Sequence, residues 1–199
     1  MFNNRIIRVP LLGLTAVAAL AAAACGGSSG SGAASAPAGG GTAAGGEPAN
    51  GDATAVAYTD SRFHYRIDAP GRMTAGADGI AAFVGPAERI QVAVVQGTKA
   101  ADVAVLAHED VAALPATTTD FHLTSAPSPI SLDGHRGQKF VYTWSAGTSQ
   151  VTGKPVKLVG VRYYVPKDAA TTAVITYGIV TNQYDPQGAD DIANTFRWQ

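Results

Sequence analysis

The stretch VKLVGVRYYV, Val156 to Val165, reads as a β-strand with no free face. Val159, Val161, Tyr163 and Val165 fall on one side of an extended chain, and Leu158 and Tyr164 on the other. Successive side chains of a strand point to opposite faces. A strand apolar on both is covered on both, so it lies inside a sheet between two layers. The stretch AVITYGIVT, Ala173 to Thr181, repeats the pattern: Ile175, Tyr177 and Ile179 oppose Val174 and Val180.

Working outward, residues 137–145 place Phe140, Tyr142 and Trp144 on one face of a preceding strand. A loop holding Gly147 and Gly153 turns that strand into Val156–Val165, and Pro166-Lys167-Asp168 makes the next turn. Links this short join antiparallel neighbours. After the last strand, Asp185 reads as an N-cap with Pro186 at the first helical position, a strong helix start. Ile192, Ala193 and Phe196 form the buried stripe expected of that helix.

The first half carries similar signals. Phe63-His64-Tyr65-Arg66-Ile67 alternates like a half-buried strand and ends at Ala69-Pro70-Gly71. Residues 79–84 and 89–95 read as two further strands. Thr98 is the expected N-cap of a helix running to Leu114, with Val103, Leu106, Ala107 and Val111 at helical spacing and Pro115 beyond. A short strand over 121–125 is broken by Pro127-Ser128-Pro129. The order is three strands, helix, weak strand, three strands, helix. The fold class is α+β: a mostly antiparallel central sheet with helices on both faces.

The N-terminus is of a different kind. Arg5 and Arg8 precede the apolar run from Pro10 to Leu20, and Ala22-Ala23-Ala24 leads into Cys25, the single cysteine of 199 residues. This is the layout of an export signal. Small residues directly before a cysteine resemble a bacterial lipobox, with Ala22 where leucine is usual. That resemblance implies cleavage before Cys25, a diacylglyceryl group on its sulfur and an acylated new N-terminus. The other readings are an ordinary secretory signal and an uncleaved membrane helix, for which the run is short and alanine-rich. Two or more acyl chains hold a protein stably on a membrane, so the lipoprotein reading places the chain on the cell membrane, facing outside the cytoplasm.

From Gly26 to about Ala53 the sequence is almost wholly Gly, Ala, Ser, Thr and Pro. It has too little apolar area to offset chain entropy. A tether of this composition has a root-mean-square reach of roughly 30 Å. The expected organisation is a lipoprotein signal over 1–24, lipidated Cys25 and a flexible linker over 25–55, and one globular domain over 56–199. A domain of that size buries roughly 70% of its unfolded surface. Without Arg5 and Arg8 the chain has 12 basic and 15 acidic side chains. No basic stripe is present, so nucleic acid is not an expected partner.

The domain resembles a family at four places. FHYRIDAP (63–70), LDGHRGQKFVYTW (132–144), VGVRYYV (159–165) and ADDIANTFRW (189–198) are similar to the opening strand, later strands and last helix of PsbP-like proteins. With the lipobox and linker, the chain resembles actinobacterial surface lipoproteins of the LpqN/LpqT type. It departs from the family at Arg62, where a glycine is common, and after Pro70, where Met73 stands nearest to a usual tryptophan. The resemblance implies a binding or accessory role and no shared chemistry.

No catalytic, metal or cofactor constellation is legible. His64, His108, His122 and His135 include no pair at helical spacing for a metal. His64 is expected on the polar face of a strand and His135 in a glycine-flanked turn. His108-Glu109-Asp110 lacks a second zinc-protease histidine and is read as a solvent face. Ser145 lies outside any Gly-x-Ser-x-Gly elbow. Asp190 and Asp191 are read as helix-surface charge favoured by the dipole. Phe140, Tyr142, Trp144, Tyr163 and Tyr164 are assigned to core packing rather than an aromatic groove.

The reading is a lipid-anchored, non-catalytic binding module with no cofactor, an unidentified protein partner and the membrane as its support. A carrier of lipid or another apolar ligand is the alternative, and an envelope hydrolase a third. Gln150, Lys154 and Lys157, in the loop region from Ser145 to Lys157, are the candidate partner-binding residues.

Overall fold

The computed structural model describes residues 55–75, 80–97, 102–149 and 152–199. Cys25, the tether, Thr98 and Gln150 lie outside the described residues.

The chain runs β1 (Val56–Asp60), β2 (Tyr65–Ala69), β3 (Arg72–Ala75), β4 (Ala81–Val84), β5 (Glu88–Gln96), α1 (Val103–Ala113), β6 (Thr119–Leu132), β7 (His135–Thr148), β8 (Pro155–Asp168), β9 (Thr171–Val180), α2 (Pro186–Ala193) and β10 (Arg197–Trp198). Seven strands form one sheet in the order β3-β4-β5-β9-β8-β7-β6, and β1-β2-β10 form a second. Every strand pair is antiparallel.

The two-sided strands β8 and β9 are central, as their composition requires. Val159, Val161, Tyr163, Val165, Ile175, Tyr177 and Ile179 join one buried cluster with Tyr65 and Ile67 of β2, Ala189 and Ala193 of α2, and Phe196. Leu158, Tyr164 and Val174 join the other with Phe140, Tyr142, Trp144 and α1's Leu106 and Ala107. The large sheet is therefore covered on one face by α2 and the small sheet, and on the other by α1. Gly160 has a packing reason to be glycine. A Cβ there would lie 2.4 Å from the Tyr142 ring, its cross-strand partner.

Several expected boundaries move. Pro127-Ser128-Pro129 does not end a strand: β6 continues to Leu132, with register shifts between Leu123 and Ser128. It is the edge strand, where proline costs no ladder bond on its solvent side. Pro166-Lys167-Asp168 is likewise inside β8, accommodated by an irregularity between Pro166 and Asp168. The α1 N-cap is Asp102, whose carboxylate accepts from the backbone N–H groups of Ala104 and Val105. Helix α2 ends at Ala193, so Phe196 lies beyond it and stacks on Tyr65 instead. His64 is not on a strand face; it is exposed in the turn before β2 with φ 57°. The sequence pattern missed β1, β3 and β10.

Candidate partner-binding surface

The candidate loop is the β7–β8 hairpin end. Ser145 and Lys157 face each other across the ladder, and a register shift follows toward Thr148 and Pro155. The turn is closed by its own backbone: Ser149 N–H donates to the Lys154 carbonyl at 2.8 Å, and Gly153 N–H to the Ser149 carbonyl at 2.8 Å. Gly153 takes φ 66°, a left-handed conformation that glycine adopts without steric cost. Lys154 projects into solvent from this turn.

The structure adds a residue that the sequence reading missed. Asp120, at the start of β6, accepts a 2.8 Å hydrogen bond from the Ser145 hydroxyl and lies 3.4 Å from the Lys157 ammonium. It holds φ 53°, in the left-handed region that aspartate tolerates better than most residues. The Ser145 hydroxyl first, and the Lys157 ammonium second, hold the Asp120 carboxyl below its usual range. The arrangement braces three strands at an exposed corner and leaves Lys154 and the Lys157 ammonium accessible. Nothing in the sequence around Asp120 marks it, because its partners lie 25 and 37 residues away.

Two expected solvent-face carboxylates are in polar clamps instead. Asp110 of α1 accepts from the Tyr164 hydroxyl at 2.5 Å and pairs with the Arg162 guanidinium at 2.7 Å. Burial opposes the Arg162 charge, but Tyr142, Tyr164 and Asp110 outweigh it and raise its pKa. Asp190 of α2 accepts from the Tyr163 hydroxyl at 2.8 Å and from the Lys139 ammonium at 2.5 Å. Both carboxylates lie on the inner flank of their helix, which single-helix reasoning could not show. Asp191 is exposed and accepts only from the Gln187 side chain one turn away among the described residues.

Among the described residues no group of three or more His, Cys, Asp or Glu side chains is placed to hold a metal ion. No described helix is long and apolar enough to cross a membrane. Phe140, Tyr142, Trp144, Tyr163 and Tyr164 are all buried in the two clusters, as the core assignment expects.

No family model and no curated protein matches the chain. Among solved structures it is similar to the Ran-binding protein Mog1p of Saccharomyces cerevisiae, with a TM-score of 0.50 and 12% identity over 74% of this chain and 96% of that one. A crystal structure from Bacteroides thetaiotaomicron gives a TM-score of 0.49 and 7% identity; the chain covers 49% of that protein, about half its length. LpqN, involved in cell envelope biogenesis of Mycobacterium tuberculosis, gives a TM-score of 0.42 and 12% identity over 75% of this chain and 86% of that one. The chain thus shares with Mog1p the α+β sandwich to which its strand pattern pointed.

Proposed function

We propose that this is a lipid-anchored protein of the outer face of the cell membrane, whose domain acts as a non-catalytic binding or accessory module for a protein partner. The single observation behind the anchor is the Ala22-Ala23-Ala24-Cys25 junction after an arginine-led apolar run. The observation behind the binding role is the corner where Asp120 contacts Ser145 and Lys157, beside the exposed Lys154 turn. Loops fixed on a rigid scaffold are frequent binding sites. Tethering raises the local concentration of the domain near other envelope components, so weak contacts suffice. Mog1p, on the same fold, is a Ran-binding protein, but a shared fold by itself assigns no partner.

Cys25→Ser is the test of the anchor. The parent should partition into detergent and the variant should not, or should remain uncut. Identical partitioning and processing of both would overturn the lipoprotein reading. For the surface, reversing Lys154 and Lys157 to glutamate should lower capture of the partner from envelope extracts without changing the melting temperature, since an exposed ion pair such as Lys157–Asp120 contributes little. Capture that persists would exclude this corner. Turnover of an ester, peptide or glycoside that one substitution abolishes would overturn the non-catalytic reading.

A further inference from the structure

Two arginines on the α1-side face of the large sheet have an Nε–H group buried without a hydrogen-bond partner: Arg89 of β5 and Arg162 of β8. A buried N–H left unpaired costs its full desolvation, and charged donors cost most. Two on one face call for a common explanation.

The register places them together. Arg89 pairs with Gly178 and Gly178 with Gly160; the Tyr142 ring lies over Gly160, so in this row only Gly178 separates Arg89 from that ring. Arg162 pairs with Thr176, and Thr176 with Gln91, in the neighbouring row. Strand spacing and rise put the two arginine Cα atoms about 12 Å apart on the same face. Their side chains border a strip with Gly178 in one row, Thr176 and Gln91 in the next, and the Tyr142 ring at its β8 end. Arg72 of β3 continues the Arg89 row through Val84 and is exposed. These two rows receive no carboxylate from the strands. Asp110 enters from α1 and engages the Nη1 atom of Arg162, leaving its Nε free. Arg72 and Arg89 make no ion pair among the described residues.

We propose that this strip, formed by Arg89, Arg162, Gln91 and Thr176 with Arg72 at its entrance, binds a phosphate group. Guanidinium N–H groups present paired donors that match the oxygens of phosphate. Gln91 and Thr176 add neutral donors. Among the described residues, three guanidinium groups against one carboxylate suit a dianion better than a monoanion. The site is separate from the Lys154 corner and does not depend on the partner-binding reading.

The test is a titration of the full chain with inorganic phosphate and with sn-glycerol 3-phosphate, following arginine Nε–H resonances, with sodium chloride at matched ionic strength as reference. The Arg89 and Arg162 signals should shift saturably with either phosphate and not with chloride. Arg89→Gln should weaken binding by about tenfold or more. Arg72→Gln, at an exposed position, should weaken it in a protein whose fold is not at risk. Arg66→Gln, on the small sheet beside Asp68, should change nothing. Tighter binding of the glycerol ester would make a phosphate-ester headgroup the source, and the reverse order would make it free phosphate; both uphold the site. Shifts no larger than those with chloride, or equal losses in the Arg66 and Arg72 variants, would overturn it.

Discussion

Helices α1 and α2 dock on opposite faces of one sheet through the same device, with different degrees of burial. Tyr163 and Tyr164 are adjacent in β8 and point to opposite faces, as strand neighbours must. Each donates its hydroxyl to the aspartate of the helix it meets, Asp190 and Asp110 respectively. Each aspartate also takes a cation from the sheet. On the α2 side the cation is Lys139, the cross-strand partner of Tyr163, whose side chain is 19% exposed. On the α1 side it is Arg162, whose side chain is 10% exposed. A tyrosine hydroxyl, a carboxylate and a cation meet on each side, but the two cations differ in burial. A cation that keeps contact with water tolerates loss of its partner, whereas one buried beneath a helix is stranded by it. Apolar support differs too. The α2 face is sealed by Phe196 stacked on Tyr65 and set edge-on to Trp198. The α1 helix buries only Leu106 and Ala107 before the terminal turn at Leu114.

Alkali should break both clamps at once, and is expected to have the largest effect. All seven tyrosines are raised above their usual pKa of 10.0, in each case chiefly by burial. Tyr177 is pushed up to about 12. The folded state then holds protons that the unfolded state releases above pH 10. Stability is complete below that value and falls as pH rises toward the folded values. Each affected tyrosine contributes a slope of up to about 1.4 kcal/mol per pH unit. Denaturant midpoints should be level to about pH 9 and drop steeply above about pH 10. Tyrosinate absorbance should rise together with unfolding; gradual ionisation of a still-folded protein from pH 10 would break the account.

Phe196→Ala tests the apolar half of the contrast. Truncating a fully buried phenylalanine costs about 3–5 kcal/mol, a large share of the roughly 5–15 kcal/mol that holds a domain together. A strong fall in melting temperature is expected, and little change would mean that the aromatic seal is dispensable.

The polar half is sharpened by a matched pair. Asp110→Ala leaves Arg162 buried and unpaired and should cost about 3 kcal/mol. Asp190→Ala leaves Lys139 free to reach water and should cost about 1.5–2 kcal/mol. Urea midpoints of the two variants decide it: equal losses, or a larger loss at Asp190, would remove the distinction between the clamps. Asp191→Ala is the smallest change, within about 0.5 kcal/mol, because an exposed side chain away from such features contributes little. A larger loss there would show that the helix surface, not its inner flank, holds α2.

The central strands and both helices were legible because their signals are local. Tyr163 and Val165 against Leu158 and Tyr164 declare two covered faces from spacing alone, and Asp185-Pro186 declares a helix start. The misses share a cause. The run Thr119–Leu132 reads as broken because its prolines forbid an interior strand, yet it borders solvent, and only the strand order shows that. The short strands β1 and β10 exist because both pair with β2, one from each end of the domain. Asp110 and Asp190 look like surface charge because a helical sequence does not say which flank meets the sheet.

At the proposed surface the divide is the same. The glycine-containing turn at Lys154 was visible in the sequence, but its brace, Asp120, was not. The sequence by itself determined the class of fold, the covered strands, the Asp185 cap of α2 and the change of composition after Cys25. These follow from periodicity, backbone preference and apolar content, which act within a few residues. Only the tertiary structure decided which charges are buried, which tyrosine meets which helix, and that Arg89 and Arg162 lie on one face two strands apart. Those depend on strands distant in the chain lying side by side, and the free energy of a charge is set by the neighbours that pairing brings.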